Sequence, residues 1–222
     1  MSIESFSISV ARHGIVPSVR RTLLGRARRV LDFELCRVEC SSGEPYVWPD
    51  AVGYETRLVG EVEFHQSLCE ELRNVDYRWA FRRGDVCSAS FHGADLVGYS
   101  FYSSLPTRAR DGVTFTFPAQ HYVYAYASAT APSHRGKRLE QDRWKVARRQ
   151  RNEVTGNDPR LLWYVNVANL EARATGKAVR TRPVLLGYIA WARIAGGYRF
   201  FISRGCRKAQ TLFLASNSAA LS

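Results

Sequence analysis

Ala129-Thr130-Ala131-Pro132-Ser133-His134-Arg135-Gly136-Lys137-Arg138-Leu139 decides how this chain is read. The stretch follows a run with strand patterning and opens a run with helical patterning. A strand that breaks at a proline and enters a helix through Arg-Gly-Lys exposes unpaired backbone N–H groups at the helix start. The helix dipole adds partial positive charge there, and three cationic side chains surround it. That combination suits a bound phosphate. It equally suits an ordinary strand-to-helix turn with solvated basic residues, and local chemistry alone leaves both readings open.

Working outward, residues 119–130 form a long strand run before the turn. Tyr122, Tyr124, Tyr126 and Ser128 fall on one face at period two, with His121, Val123, Ala125, Ala127 and Ala129 on the other. After the turn, residues 139–152 read as a helix carrying Arg143, Lys145, Arg148, Arg149 and Arg151, with Trp144 as a core anchor. A charge-rich helix face is ordinarily a solvated face; beside a phosphate site it also suits an acidic partner.

Upstream, residues 29–39 (RVLDFELCRVE) alternate as a strand, 41–49 read as a loop, and 59–73 carry an amphipathic helical pattern. Gly84-Asp85 opens a hairpin of 86–91 and 94–103, and 108–112 read as a polar loop. Downstream come a strand at 161–167, a short helix at 169–177, and strands at 184–194 and 198–203. The predicted order is strand, helix, three strands, helix, strand, helix, two strands. It gives an α/β fold with a single mixed, mostly antiparallel sheet of about six to seven strands flanked by helices. Three parts follow: a basic N-terminal arm (1–28), one domain (29–205) and a small, polar C-terminal tail (206–222).

The 222 residues are 45% hydrophobic and 23% charged, which excludes wholesale disorder. A net charge of +12 points to an anionic partner: nucleic acid, a membrane surface, a phosphorylated cofactor or an acidic carrier protein. The five cysteines are scattered, with no CxxC pair and no zinc-type spacing, so neither a disulfide framework nor a structural metal is expected. The first ten residues lack a secretory pattern, and no apolar run reaches a membrane span. A cytoplasmic setting is the expectation. Helix-turn-helix, zinc-finger and RNP-like signatures are missing and the aromatics sit in strand patterns, which argues against nucleic acid.

Two motifs carry a family resemblance. Residues 132–140 (PSHRGKRLE) resemble the acyl-CoA loop of the GNAT superfamily of N-acyltransferases, Arg/Gln-x-x-Gly-x-Gly/Ala, with Arg135 at its first position. Residues 164–172 (YVNVANLEA) are similar to that family's fifth strand ending on an Asn that starts a helix. With Gly84-Asp85 and Leu96-Val97-Gly98-Tyr99, the likeness covers roughly residues 30 to 205. Arg138 and Glu140 stand where the family has small residues that let backbone amides approach a pyrophosphate. The resemblance therefore admits CoA in altered geometry, a carrier-protein phosphopantetheine instead of CoA, or lost binding.

The resemblance implies a GNAT-type acyltransferase that moves an acetyl or other acyl group from a CoA thioester to an amine, by direct attack in a ternary complex. The alternatives are a carrier-protein-dependent acyltransferase, or a non-catalytic GNAT-like module on an acidic partner such as nucleic acid. The implied donor site is Ala129, Thr130, Arg135, Gly136, Lys137, Arg138, Leu139 and Asn169, with acetyl-CoA or another acyl-CoA as donor. Asn169 equally suits a plain helix N-cap. The family often places a Glu on the fourth strand as base; this strand has none. Tyr126 and Tyr124 are the candidates for orienting the amine or relaying its proton, set against ordinary sheet packing. His121 and His134 are further candidate bases, each set against the commoner reading as a surface or loop histidine.

Overall fold

A computed structural model describes residues 16–19, 22–24, 26, 32–41, 49–110, 113–155, 159–169, 183–194 and 197–215. The strands are β1 (Glu34–Cys40), β2 (Glu55–Val59), β3 (Val86–His92), β4 (Asp95–Ser103), β5 (Thr107–Arg110), β6 (Val113–Thr116), β7 (Tyr122–Thr130), β8 (Arg160–Asn166), β9 (Val184–Ile194), β10 (Gly197–Ile202) and β11 (Leu212–Ala215). The labelled helices are α1 (Glu61–Ser67), α2 (Arg78–Arg82), α3 (Leu139–Thr155) and α4 (Arg204–Lys208). Residues 16–19 and 22–24 of the basic arm are also helical.

The fold is a mixed, mostly antiparallel α/β sheet flanked by helices. It has eight strands where six to seven are expected, in the order β10-β9-β1-β8-β7-β4-β3-β2. β7 and β8 pair in parallel, whereas β2–β3, β3–β4, β4–β7, β1–β9 and β9–β10 are antiparallel. A second, three-stranded sheet runs β11-β6-β5. Contacts divide the chain into two compact units. One comprises Met1–Ser42, Leu105–Pro118 and Trp163–Ser222; the other comprises Gly43–Ser104 and Ala119–Leu162.

In the second unit, one face of β3, β4 and β7 is aromatic. Phe64 of α1 is fully buried and meets Tyr77, Phe81, Tyr99 and Phe101 with ring centroids 5.2–6.3 Å apart. α3 covers the other face, with Trp144 against Tyr102 (5.6 Å) beside Val123 and Ala147. Alternation along the strands assigns each side chain to one of these layers.

The structure departs from the sequence reading at several elements. The helical pattern of 59–73 yields only α1 and then a 3-10 turn at Glu70–Leu72, because the chain stops at Leu68 to bridge Leu96, with Cys69 N–H donating to the Leu96 carbonyl at 3.1 Å. β2 is too short and too charged (ETRLV) to show an apolar period. The 108–112 stretch is strand through Arg110, an edge position where polar residues face water.

Past Ser203 the chain remains folded through Ala215. Cys206 of α4 is fully buried and β11 pairs with β6, so the outlying strand and helix extend the fold into the stretch read as a tail. The expected helix at 169–177 lies outside the described residues beyond Asn169.

Candidate functional site

The long strand reaches the basic turn through a kink. Between β4 and β7 the register slips: Phe101 faces Tyr126, but Tyr99 faces Ala129. Two residues, Ala127 and Ser128, oppose one, and Ala127 takes a positive φ of 48°. This β-bulge re-aims everything after it. Ser128, expected on the tyrosine face, is turned to the α3 face, where its hydroxyl meets Ser100 Oγ at 3.0 Å. Ala129 returns to the aromatic layer.

From Thr130 the chain forms a 3-10 turn at Pro132–His134 and enters α3 at Leu139. Ala131 N–H still donates to the Val97 carbonyl (2.8 Å), so the strand ladder holds the loop's first residue. Leu139 is buried in the core at the other end. Between these anchors Arg135, Gly136, Lys137 and Arg138 are all exposed. Arg135 Nε donates to the Thr130 carbonyl at 3.2 Å. Gly136 has a φ of 79°, a glycine conformation, and Arg138 has a φ of 63°, which a side chain tolerates poorly. In the first turn of α3 the Gln141 N–H donates to the Arg138 carbonyl at 3.0 Å, and the N–H groups ahead of it have no intrahelical acceptor.

Directly beneath this loop lies a polar cluster that the sequence reading missed. Arg143, counted among the solvated basic residues of the helix, is instead fully buried. Its guanidinium donates to Ser100 Oγ (Nε, 2.9 Å), Ser90 Oγ (Nη1, 3.4 Å), Thr130 Oγ1 (Nη2, 3.1 Å) and Glu140 Oε2 (Nη2, 2.6 Å). Glu140 also accepts from Ser100 and Ser128. The available signals were the i,i+3 Glu140–Arg143 spacing and the serines at alternate positions of β3.

Tyr124 and Tyr126 stack at 5.7 Å on the aromatic face, with Trp79 5.7 Å from Tyr126. The Tyr126 hydroxyl donates to Asp85 Oδ2 at 2.6 Å, and Arg83 Nε lies 3.7 Å from that oxygen. Burial, then the bond to Asp85, push the Tyr126 phenol far above its ordinary value, so it keeps its proton. His134 contacts Tyr54 (Nδ1 to hydroxyl, 3.0 Å) and His92 (ring centroids 5.2 Å). Asn169 belongs to the other unit, where it is exposed and its N–H donates to the Asn166 carbonyl at 2.8 Å. Among the described residues no cluster of three or more His, Cys, Asp or Glu could hold a metal ion.

No protein-family model matches the chain, and no curated protein matches it in sequence. Among solved structures it is similar to a protein described as an acetyltransferase of the GNAT family from Novosphingobium aromaticivorans, at 13% identity and a TM-score of 0.47, over 72% of this chain and 63% of that one. It is also similar to a Drosophila protein (14%, TM-score 0.47, 83% of this chain and 59% of that one). A third is a tandem GNAT protein from the clavulanic acid biosynthesis pathway (14%, TM-score 0.40, 66% and 49%). The match spans less than two thirds of each of these chains.

Proposed function

We propose that this chain is a GNAT-type N-acyltransferase that takes an acyl group from a CoA thioester and passes it to an amine. One observation carries the reading: β7 kinks at Ala127 and runs into an exposed Arg135-Gly136-Lys137-Arg138 loop that ends on the N-terminus of the 17-residue helix α3. Such a loop offers a diphosphate both backbone N–H groups and cations. Among the described residues, β7 pairs with β8 only from Tyr122 to Tyr124, so its β8-side edge from Ala125 to Thr130 suits pairing with the amide groups of an extended pantetheine arm.

In the reaction, the amine nitrogen attacks the thioester carbonyl carbon, the C–S bond breaks, and the proton lost by nitrogen passes to the leaving sulfur, giving a thiol, or to solvent, leaving a thiolate. Tyr126 suits a positioning task rather than proton transfer. With its hydrogen committed to Asp85, its oxygen can still accept a hydrogen bond from the acceptor amine. The exposed Lys137 and Arg138 also favour a second donor of the same chemistry, a phosphopantetheine on an acidic carrier protein.

Calorimetry with CoA tests the loop. Arg135→Ala removes a charged contact and is expected to weaken binding by roughly tenfold or more, and Gly136→Asp to abolish it. Unchanged affinity in both would show that the loop does not hold the diphosphate. Mass spectrometry of copurifying ligand, with acyl-CoA or acylated carrier protein as the expected species, separates the two donors.

A further inference from the structure

Glu140 is out of place for an anion site. It stands in the first turn of α3, two residues beyond Arg138, where a carboxylate opposes any bound phosphate. Yet the structure devotes four elements to it and to its partner. Arg143 of α3 neutralises it at 2.6 Å, with Arg143's side chain 1% exposed. Ser90 from β3, Ser100 from β4 and Thr130 from β7 take the other guanidinium donors. Gly98 of β4 leaves the space: a Cβ there would lie 2.5 Å from Arg143 Nη1.

An ion pair with one buried and one half-buried partner is a weak device for stability, since apolar residues of equal volume hold a core as well or better. The position of this pair, between the end of β7 and the start of α3, offers a different reason for it. We propose that Arg143 is a positioning residue that cancels the Glu140 charge and ties both ends of the loop, so that the Arg135–Arg138 segment keeps its affinity for the donor's phosphates. This rests on the acyl-donor reading of the loop. Glu140 then acts as the tether for Arg143, and the pair presents no net charge to the ligand. Removing Arg143 leaves at the phosphate site a carboxylate held only by the Ser100 and Ser128 hydroxyls, its charge uncancelled; removing both leaves the loop's own cations in charge.

A double-mutant cycle tests this, with Kd for CoA and for inorganic diphosphate measured beside thermal stability. Arg143→Gln is expected to weaken both ligands by about tenfold, and Glu140→Gln to tighten them by about threefold. The double variant is expected to return to within about threefold of wild type despite a lowered Tm. Arg143→Lys, which keeps the charge, is expected to retain affinity within about threefold, and stands in if the Gln variant fails to fold. Affinity losses that simply follow Tm, with no recovery in the double variant, would overturn the proposal. Wild-type protein that binds diphosphate but not CoA would remove the acyl-donor reading while the same cycle, read with diphosphate, still judges the charge pairing. Binding of neither ligand would overturn both.

Discussion

Arg138 is the residue at which the loop's geometry and its chemistry disagree. Its φ of 63° belongs to glycine, and the family resemblance also puts glycine there, yet the chain carries a long cation. An L side chain in this region costs roughly 1 kcal/mol. Replacement by Ala keeps that strain, whereas replacement by Gly relieves it and raises the entropy of the unfolded chain. The expected outcome is that Arg138→Gly is more stable than Arg138→Ala by about 0.5–1 kcal/mol in urea unfolding. The reverse order would mean that the left-handed conformation is not kept in solution. Reading the sequence alone, Arg138 and Glu140 register only as departures from a pattern. Backbone dihedrals and the Arg143 contact show what each departure does.

At the scale of elements, α3 is held from outside as well as through its buried face. Asp142 Oδ2 accepts the Ala51 N–H at 2.9 Å, and Lys145 reaches Asp50 at 2.6 Å, so the segment before β2 is strapped across the helix. Burial raises the Asp142 carboxyl above its usual range; the Ala51 bond and the Lys145 and Arg143 charges oppose this, while Asp50 adds to it. A raised folded value means that the stability contribution is full below the unfolded carboxylate range near ~4 and is lost as pH rises through the folded value. Asp142→Asn keeps an acceptor for Ala51 and removes the buried charge. It is expected to raise Tm at pH 7, with the gain fading below about pH 4. A gain that persists in acid would place its origin elsewhere. The same helix shows what was legible in the sequence. Its start, Trp144 and the flanking strands follow from periodicity, because burial of an amphipathic face is written in apolar spacing. Arg143 was not legible, because a lone arginine on a basic helix has the same letter whether solvated or buried. The bulge at Ala127 was equally hidden: nothing in Tyr-Ala-Ser-Ala marks where a strand takes an extra residue. The short strands β2 (ETRLV) and β5 (TRAR) were missed because charged edge positions carry no apolar period, and β11 (LFLA) because four apolar residues in a row show none either.

Across the whole molecule, the +12 charge is unevenly committed. Arg57 pairs with Glu55 and Glu63, Lys145 with Asp50, Arg149 with Glu153, and Arg143 with Glu140. Arg135, Lys137 and Arg138 enter no ion pair among the described residues, so the loop is a place where the chain's excess charge stays available to a ligand. Among the described residues no helix is long and apolar enough to cross a membrane. Exposed charges of this kind make any association through them sensitive to salt.

The interruption between α1 and the 3-10 turn gives the chain a built-in place for a reporter dye. All five cysteines are free thiols; four are buried, and only Cys69, at that interruption, is partly open. Two residues on, Glu71 accepts the Ser133 hydroxyl, so a fluorophore on Cys69 would sit beside the backbone that carries the loop. Burial lifts the Cys69 thiol above its ordinary value, which slows alkylation at neutral pH and favours mildly alkaline labelling. A colourimetric thiol titration is expected to find one reactive group in the folded protein and all five in denaturant. Two or more in the folded state would mean that a second cysteine becomes accessible by local opening. With a single adduct, emission during CoA titration would report any change at the loop without any engineered site.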